Sequence, residues 1–151
     1  MSVYEKIIQI LNSKGVEYQV LEHEPTPTCA DSARVRGTRP EQGAKSLICI
    51  ADKRPIMIVL PCSQRLDIKK FKELYGVKDL RFATPEEIKN ITGLEIGAIP
   101  PFGGLFGLQT YVSNTLFAET ELAFNAGDRC WSIIMQRYDF EKIQKSTLGD
   151  F

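Results

Sequence analysis

One histidine, four cysteines without a single C-x-x-C pair, no long apolar run and no net charge set the first limits on this 151-residue chain. Cys29, Cys49, Cys62 and Cys130 are scattered, and with His23 alone they supply no zinc-ligand spacing. Cys49 and Cys130 sit inside apolar strand patterns and read as small hydrophobes, so no disulfide framework is expected. The longest apolar stretch, Pro55 to Pro61, is too short for a bilayer, and polar Glu5 and Lys6 stand where a signal peptide would be apolar. These features predict a cytoplasmic protein without membrane association. Zero net charge argues against a protein that coats nucleic acid with its whole surface. No segment matches a nucleophile elbow, a Walker loop, a dinucleotide-binding glycine fingerprint or a zinc-protease helix, so covalent catalysis has no evident agent. Nothing in the residues calls for a metal or an organic cofactor.

What is present is a chain of 43% hydrophobic and 25% charged residues, the profile of one globular domain spanning residues 1–151. The charges are unevenly placed. From Arg34 to Lys72 there are ten basic residues against three acidic ones, so this segment is +7 and the remainder −7. Such asymmetry places a local positive patch beside a polyanion site, or reflects a solvated helix face around Lys69, Lys70 and Lys72.

Ser2 and Glu5 form a capping box for an opening helix with Val3, Ile7, Ile10 and Leu11 on one face, ended by Gly15. Alternation at Val16, Tyr18 and Val20 predicts a strand, and His23-Glu24-Pro25-Thr26-Pro27 breaks it. Thr28 caps a short helix through Val35 that stops at Gly37. Lys45 to Asp52 and Pro55 to Leu60 read as a hairpin buried on both faces. Asp67 starts a helix with Ile68, Phe71 and Leu74 inward, Leu80 to Phe82 is a short strand, and Thr84-Pro85-Glu86-Glu87 opens another helix ending by Gly93. Strands are predicted at Leu105 to Val112, Leu116 to Phe117, Leu122 to Asn125 and Cys130 to Met135, with a last helix from Asp139 that turns Phe140 and Ile143 inward. The order predicts an α+β fold: a curved, largely antiparallel, partly closed sheet with helices packed outside.

Two features point to chemistry. Lys45 opens the most apolar strand, and Gly97-Ala98-Ile99-Pro100-Pro101-Phe102-Gly103-Gly104 forms a rigid backbone loop. A lysine at such an edge snorkels to water, pairs with a carboxylate, or points into a pocket. His23 is either a loop residue or a site residue.

The spacing of Lys45-Ser46-Leu47 to Gly97-Ala98-Ile99-Pro100-Pro101, with Thr84-Pro85-Glu86-Glu87 and Thr92-Gly93 before it and Asn125-Ala126-Gly127 after it, resembles the YbaK-type, prolyl-tRNA synthetase-associated editing domains. The resemblance runs from His23 to the last helix. It implies a trans-acting aminoacyl-tRNA deacylase that hydrolyses the ester of a tRNA mischarged with a small amino acid such as alanine, serine or cysteine. It implies Lys45 and Gly97 as the catalytic pair. Substrate-binding positions would be His23, Thr28, Ser46, Ala98, Ile99, Pro100, Pro101, Ser113, Asn125 and Gly127. Position 113 holds serine where many members hold aspartate. The implied partners are the acceptor end of aminoacyl-tRNA and an aminoacyl-tRNA synthetase; oligomeric state is left open. The alternative from another class is a non-catalytic module that binds aminoacyl-tRNA or a nucleotide in the same fold, followed by a hydrolase of free aminoacyl esters.

Overall fold

A computed structural model describes residues 1–26 and 28–151; Pro27, part of the expected break after the first strand, lies outside the described residues. The chain runs α1 (Val3–Ser13), β1 (Tyr18–Glu22), α2 (Cys29–Arg36), β2 (Ala44–Ala51), β3 (Arg54–Pro61), α3 (Ile68–Tyr75), β4 (Leu80–Phe82), α4 (Pro85–Thr92), β5 (Gln109–Ser113), β6 (Glu121–Asn125), β7 (Trp131–Gln136), α5 (Arg137–Ile143) and β8 (Thr147–Gly149). Caps explain the boundaries. Ser2 with Glu5 and Thr84 with Glu87 make reciprocal capping boxes, and Thr28 and Asp67 accept from the N–H three residues on.

The strands form two sheets. One is the antiparallel trio β1-β7-β6; the other has the order β4-β2-β3-β5-β8. The β2–β3 hairpin turns through Asp52 and Lys53, both with positive φ. An isolated bridge between Gly43 and Ala123 joins the sheets, so the start of β2 is held against the middle of β6. The larger sheet is mixed: β3–β5 and β5–β8 are parallel pairs.

Its two faces explain why β3 reads as a continuous apolar run. Met57 and Val59 face a core shared with Ile7 and Leu11 of α1 and with Phe124, Ile133 and Phe140. Ile56, Ile58 and Leu60 face a second core with Phe71, Tyr111 and Phe151. A strand covered on both sides needs apolar residues at every position.

Four expectations are corrected. Ile68 and Leu74 of α3 are 40% and 50% exposed, because this two-turn helix docks through Phe71 and Tyr75, whose rings lie 4.8 Å apart. Leu105 and Phe106, expected to begin a strand, belong to a 3₁₀ turn over Gly103–Phe106, closed by Gly107 at φ +68° donating to Gly103. Asn114–Ala118 is also a 3₁₀ turn, begun by the Ser113 hydroxyl accepting from the Thr115 N–H. Cys29 and Cys62 form a disulfide across Cα atoms 5.6 Å apart, where no bridge was expected. The short strand β8 had no counterpart in the sequence reading.

The disulfide fastens α2 to the end of β3. Only Ala33 of α2 is fully buried, so this helix has little apolar surface to hold it. Closing a segment between residues 33 apart stabilises by about 3–4 kcal/mol through loop entropy. Cys62→Ser should therefore lower Tm by roughly 10 °C in non-reducing buffer. With excess dithiothreitol, variant and parent should melt together.

Candidate active site

A cavity of about 630 Å³ opens between the start of β2, helix α2, the loop after α4 and the end of β6, within the roughly 300–1,000 Å³ range of small-molecule sites. Lys45, Ser46, Gly97, Ile99, Thr28, Asn125, Arg36 and Arg129 are among its lining residues. The first six were named from sequence; the two arginines were not.

Lys45 lies opposite Leu60 in the β2–β3 register, at the mouth of the hairpin. Among the described residues its amine makes no hydrogen bond and no ion pair within 4.0 Å. Partial burial, and then the positive field of Arg65, hold its pKa below the ordinary lysine value. The amine is an unpaired, partly desolvated cation on a residue that lines the cavity. If its charged form is required, kcat/KM falls on the alkaline side at a pH below the ordinary lysine value of 10.5. Arg65→Gln should move that limb upward, since it removes the like charge that favours the neutral amine. A limb unmoved by this substitution contradicts the assignment.

Across the cavity, Gly97 adopts φ +89°. The Ala98 N–H is taken by the Glu95 carbonyl, whereas among the described residues the N–H groups of Gly97 and Ile99 find no acceptor. Side chains fix the loop from behind. Asn125 Nδ2 donates to the Gly97 carbonyl, and Arg129 Nε donates to the Ile96 carbonyl at 2.8 Å. The Gly127 N–H, at φ +86°, donates to the Ala98 carbonyl at 2.8 Å.

Arg36 links both walls. Its Nε donates to Ser132 Oγ at 2.9 Å and its Nη2 to Asn125 Oδ1 at 2.8 Å, both neutral acceptors. Burial lowers its pKa to about 10. His23 does not line the cavity; it stands behind Ser132, with Nε2 2.7 Å from that hydroxyl and Nδ1 2.8 Å from the Glu24 carbonyl. A carbonyl only accepts, so Nδ1 donates to Glu24, while the Ser132 hydroxyl accepts from Arg36 Nε and lies 3.2 Å from Asn125 Oδ1 as donor. Ser132 is fully buried inside an apolar strand, and that lone polar residue in Trp131-Ser132-Ile133-Ile134 was the available sequence signal.

The remaining named positions fall elsewhere. Ala98, Pro100 and Pro101 are buried and do not line the cavity; they carry the loop into the core. Gly127 packs against α1, where an added Cβ would meet Val3 at 3.1 Å. Ser113 ends β5, two strands away from β2 in the sheet, with its hydroxyl 2.8 Å from Thr115 Oγ1. That placement removes it from the set that lines the cavity. A second groove of about 770 Å³ is lined by Lys53, Lys72 and Arg81, so the basic segment divides between two faces. There Arg81 is already paired with Glu87 at 2.7 Å.

The family model for the aminoacyl-tRNA editing domain matches residues 23–143. This chain belongs to that family. Like other editing domains, it resembles the multifunctional Ser/Thr-tRNA deacylase ProXp-y of Escherichia coli K12, at 30% identity over 98% of this chain and 92% of the relative. The prolyl-tRNA editing protein ProX of Acetoanaerobium sticklandii is 22% identical over 100% of this chain and 96% of its own. Related segments also occur within larger proteins: the proline–tRNA ligase of Nitratidesulfovibrio vulgaris DP4 is 32% identical over 68% of this chain, which spans 17% of that ligase. Among solved structures, a candidate trans-editing enzyme for prolyl-tRNA synthetase superposes with TM-score 0.86 at 26% identity, covering 99% of this chain and 96% of its own. The fold of this editing domain is therefore the one its relatives share.

Proposed function

We propose that this chain is a trans-acting aminoacyl-tRNA deacylase, working in the cytoplasm on tRNA mischarged with a small amino acid. The observation that carries the reading is the convergence of an unpaired ammonium, Lys45, and two free N–H groups, Gly97 and Ile99, on one cavity. Water attacks the ester carbonyl carbon, negative charge grows on its oxygen, and the bond to the ribose oxygen breaks as that oxygen takes a proton. The free N–H groups receive the developing oxyanion, each donor worth roughly 3 kcal/mol in comparable sites. Lys45 holds the acyl carbonyl or the terminal phosphate. The vicinal ribose hydroxyl relays the proton, taking one from the attacking water as it gives its own to the leaving ribose oxygen, so no side-chain nucleophile is needed.

In this reading Thr28, Ser46, Ile99 and Asn125 contact the acyl group or terminal nucleotide, while Ala98, Pro100, Pro101, Gly127 and His23 position them. Size sets the discrimination, because a small side chain enters where a larger one is excluded. The E. coli relative acts on Ser- and Thr-tRNA by its name, which puts serine first among the candidates.

Deacylation of a panel of tRNAs carrying serine, threonine, alanine, cysteine or proline tests the function. Hydrolysis of at least one small mischarged ester is expected, with KM rising as salt is raised because phosphate contacts release counterions. A protein that binds the panel and protects every ester is a binding module instead. Activity on free aminoacyl esters without the tRNA body marks a small-molecule hydrolase.

A further inference from the structure

The cavity has a one-sided charge. Arg36 from α2, Lys45 from β2 and Arg129 from the turn before β7 all line it, and among the described residues no aspartate or glutamate does. Three of the carboxylates outside it are engaged: Asp31 with Arg34 at 2.9 Å, Glu95 with Lys89 at 2.7 Å and within the field of Arg129, and Asp128 with the Cys130 N–H at 2.8 Å. The neutral acceptors are largely occupied too. Asn125 Oδ1 takes Arg36, the Gly97 carbonyl takes Asn125, and the Ile96 carbonyl takes Arg129. Among the described residues, the polar groups left without partners around the cavity are donors: the Lys45 amine and the N–H groups of Gly97 and Ile99, with the unpartnered Ser46 hydroxyl enclosed behind the wall.

An α-ammonium entering this chamber meets three like charges and no lining carboxylate. Like charges and lost hydration both favour the uncharged amine, and an α-amino group near pH 7–8 gives up its proton at small cost. An uncharged amine instead offers a lone pair, which suits a chamber whose unpaired groups are donors. A hydroxyl in the same place offers the same lone pair with no proton to lose.

Resting on the deacylase reading above, we propose that the chamber selects esters whose α-substituent is uncharged, so that its substrates include α-hydroxyacyl esters of tRNA, with Arg36 as the specificity-determining residue. Hydrolysis is the same for both classes: water oxygen bonds to the acyl carbon, the bond to the ribose oxygen breaks, and a hydroxy acid is released. A small hydroxy acid esterified to tRNA is thus within reach of the same site.

The test compares seryl-tRNA with glyceryl-tRNA made from it by nitrous acid deamination, each enzymatic kcat/KM divided by the uncatalysed hydrolysis rate of that ester. The rate enhancement for the glyceryl ester should equal or exceed that for the seryl ester. In Arg36→Gln, which keeps hydrogen-bonding capacity but removes the charge, the glyceryl-to-seryl ratio should fall by roughly tenfold, the equivalent of one pKa unit of charge preference. A merely structural role for Arg36 would lower both rates and leave the ratio unchanged, which overturns its assignment. Hydrolysis of the seryl ester with more than about tenfold loss on the glyceryl ester overturns the proposal and leaves the deacylase reading standing. Failure on both esters, with hydrolysis of no other tRNA in the panel, overturns both.

Discussion

Replacing Lys45 by alanine lowers kcat/KM for the mischarged ester by at least roughly 10²–10³-fold, the loss expected when a preorganised charge at the reacting group is removed. Folding should survive. The amine has no hydrogen-bond or ion-pair partner among the described residues, and strand β2 is held by backbone pairing to β3 along its whole length. Removing a partly desolvated cation that already feels Arg65 relieves an unfavourable burial, so Tm should stay level or rise slightly. Single-turnover deacylation and thermal melting read the two effects separately. Lys45→Arg should not restore activity, since the guanidinium fork is larger and its donors are fixed in a plane. A variant without the amine that clears the ester at the parent rate contradicts the assignment.

Gly97→Ala has the second largest expected effect, and its cause is backbone strain. An added Cβ would lie 3.5 Å from Arg129 Nε, an ordinary contact, so crowding is slight. The φ of +89° is the obstacle, because a side chain there costs about 1–2 kcal/mol. The loop is anchored through the Gly97 and Ile96 carbonyls, so relief of the strain swings the Gly97 and Ile99 N–H groups out of line. A displacement of about 1 Å is enough for a loss near 10²-fold, so kcat should fall by about that factor with a smaller change in KM. An unaffected kcat removes the loop from the mechanism.

Local chemistry made much of the fold legible. Ser2 with Glu5, Thr84 with Glu87 and the glycines at 37, 76 and 93 mark helix ends because caps satisfy orphan N–H and C=O groups wherever the helix sits. The hairpin at Asp52 and Lys53 was readable for the same reason. What depended on distant partners was not. The parallel pairing of β5 with β3 and β8, and the 3₁₀ turns at Gly103 and Asn114, follow from where neighbouring chain lies. The apolar pattern of Leu105 and Phe106 fits a strand and a buried turn equally well.

The site divides in the same way. Lys45 and Gly97 stood out because a cation beside an apolar strand and a glycine in a proline-stiffened loop are locally unusual. Arg36 looked like one more charge in a basic run. It becomes distinctive only when α2 is folded against Asn125 and Ser132, residues 89 and 96 positions away. Ser113 shows the converse: a position singled out by the family resemblance ends two strands from the strand that carries Lys45.

The claim beneath all of this is that the aminoacylated end of tRNA enters the cavity between Lys45 and Gly97. Titrating the ¹⁵N-labelled protein with a non-hydrolysable 3′-amide of serine and adenosine, followed by backbone and lysine NMR signals, tests it most directly. Saturable shifts are predicted at Gly97, Ile99, Asn125 and the Lys45 ammonium. Shifts confined to the groove of Lys53, Lys72 and Arg81, with Lys45 and Gly97 unmoved, would contradict it.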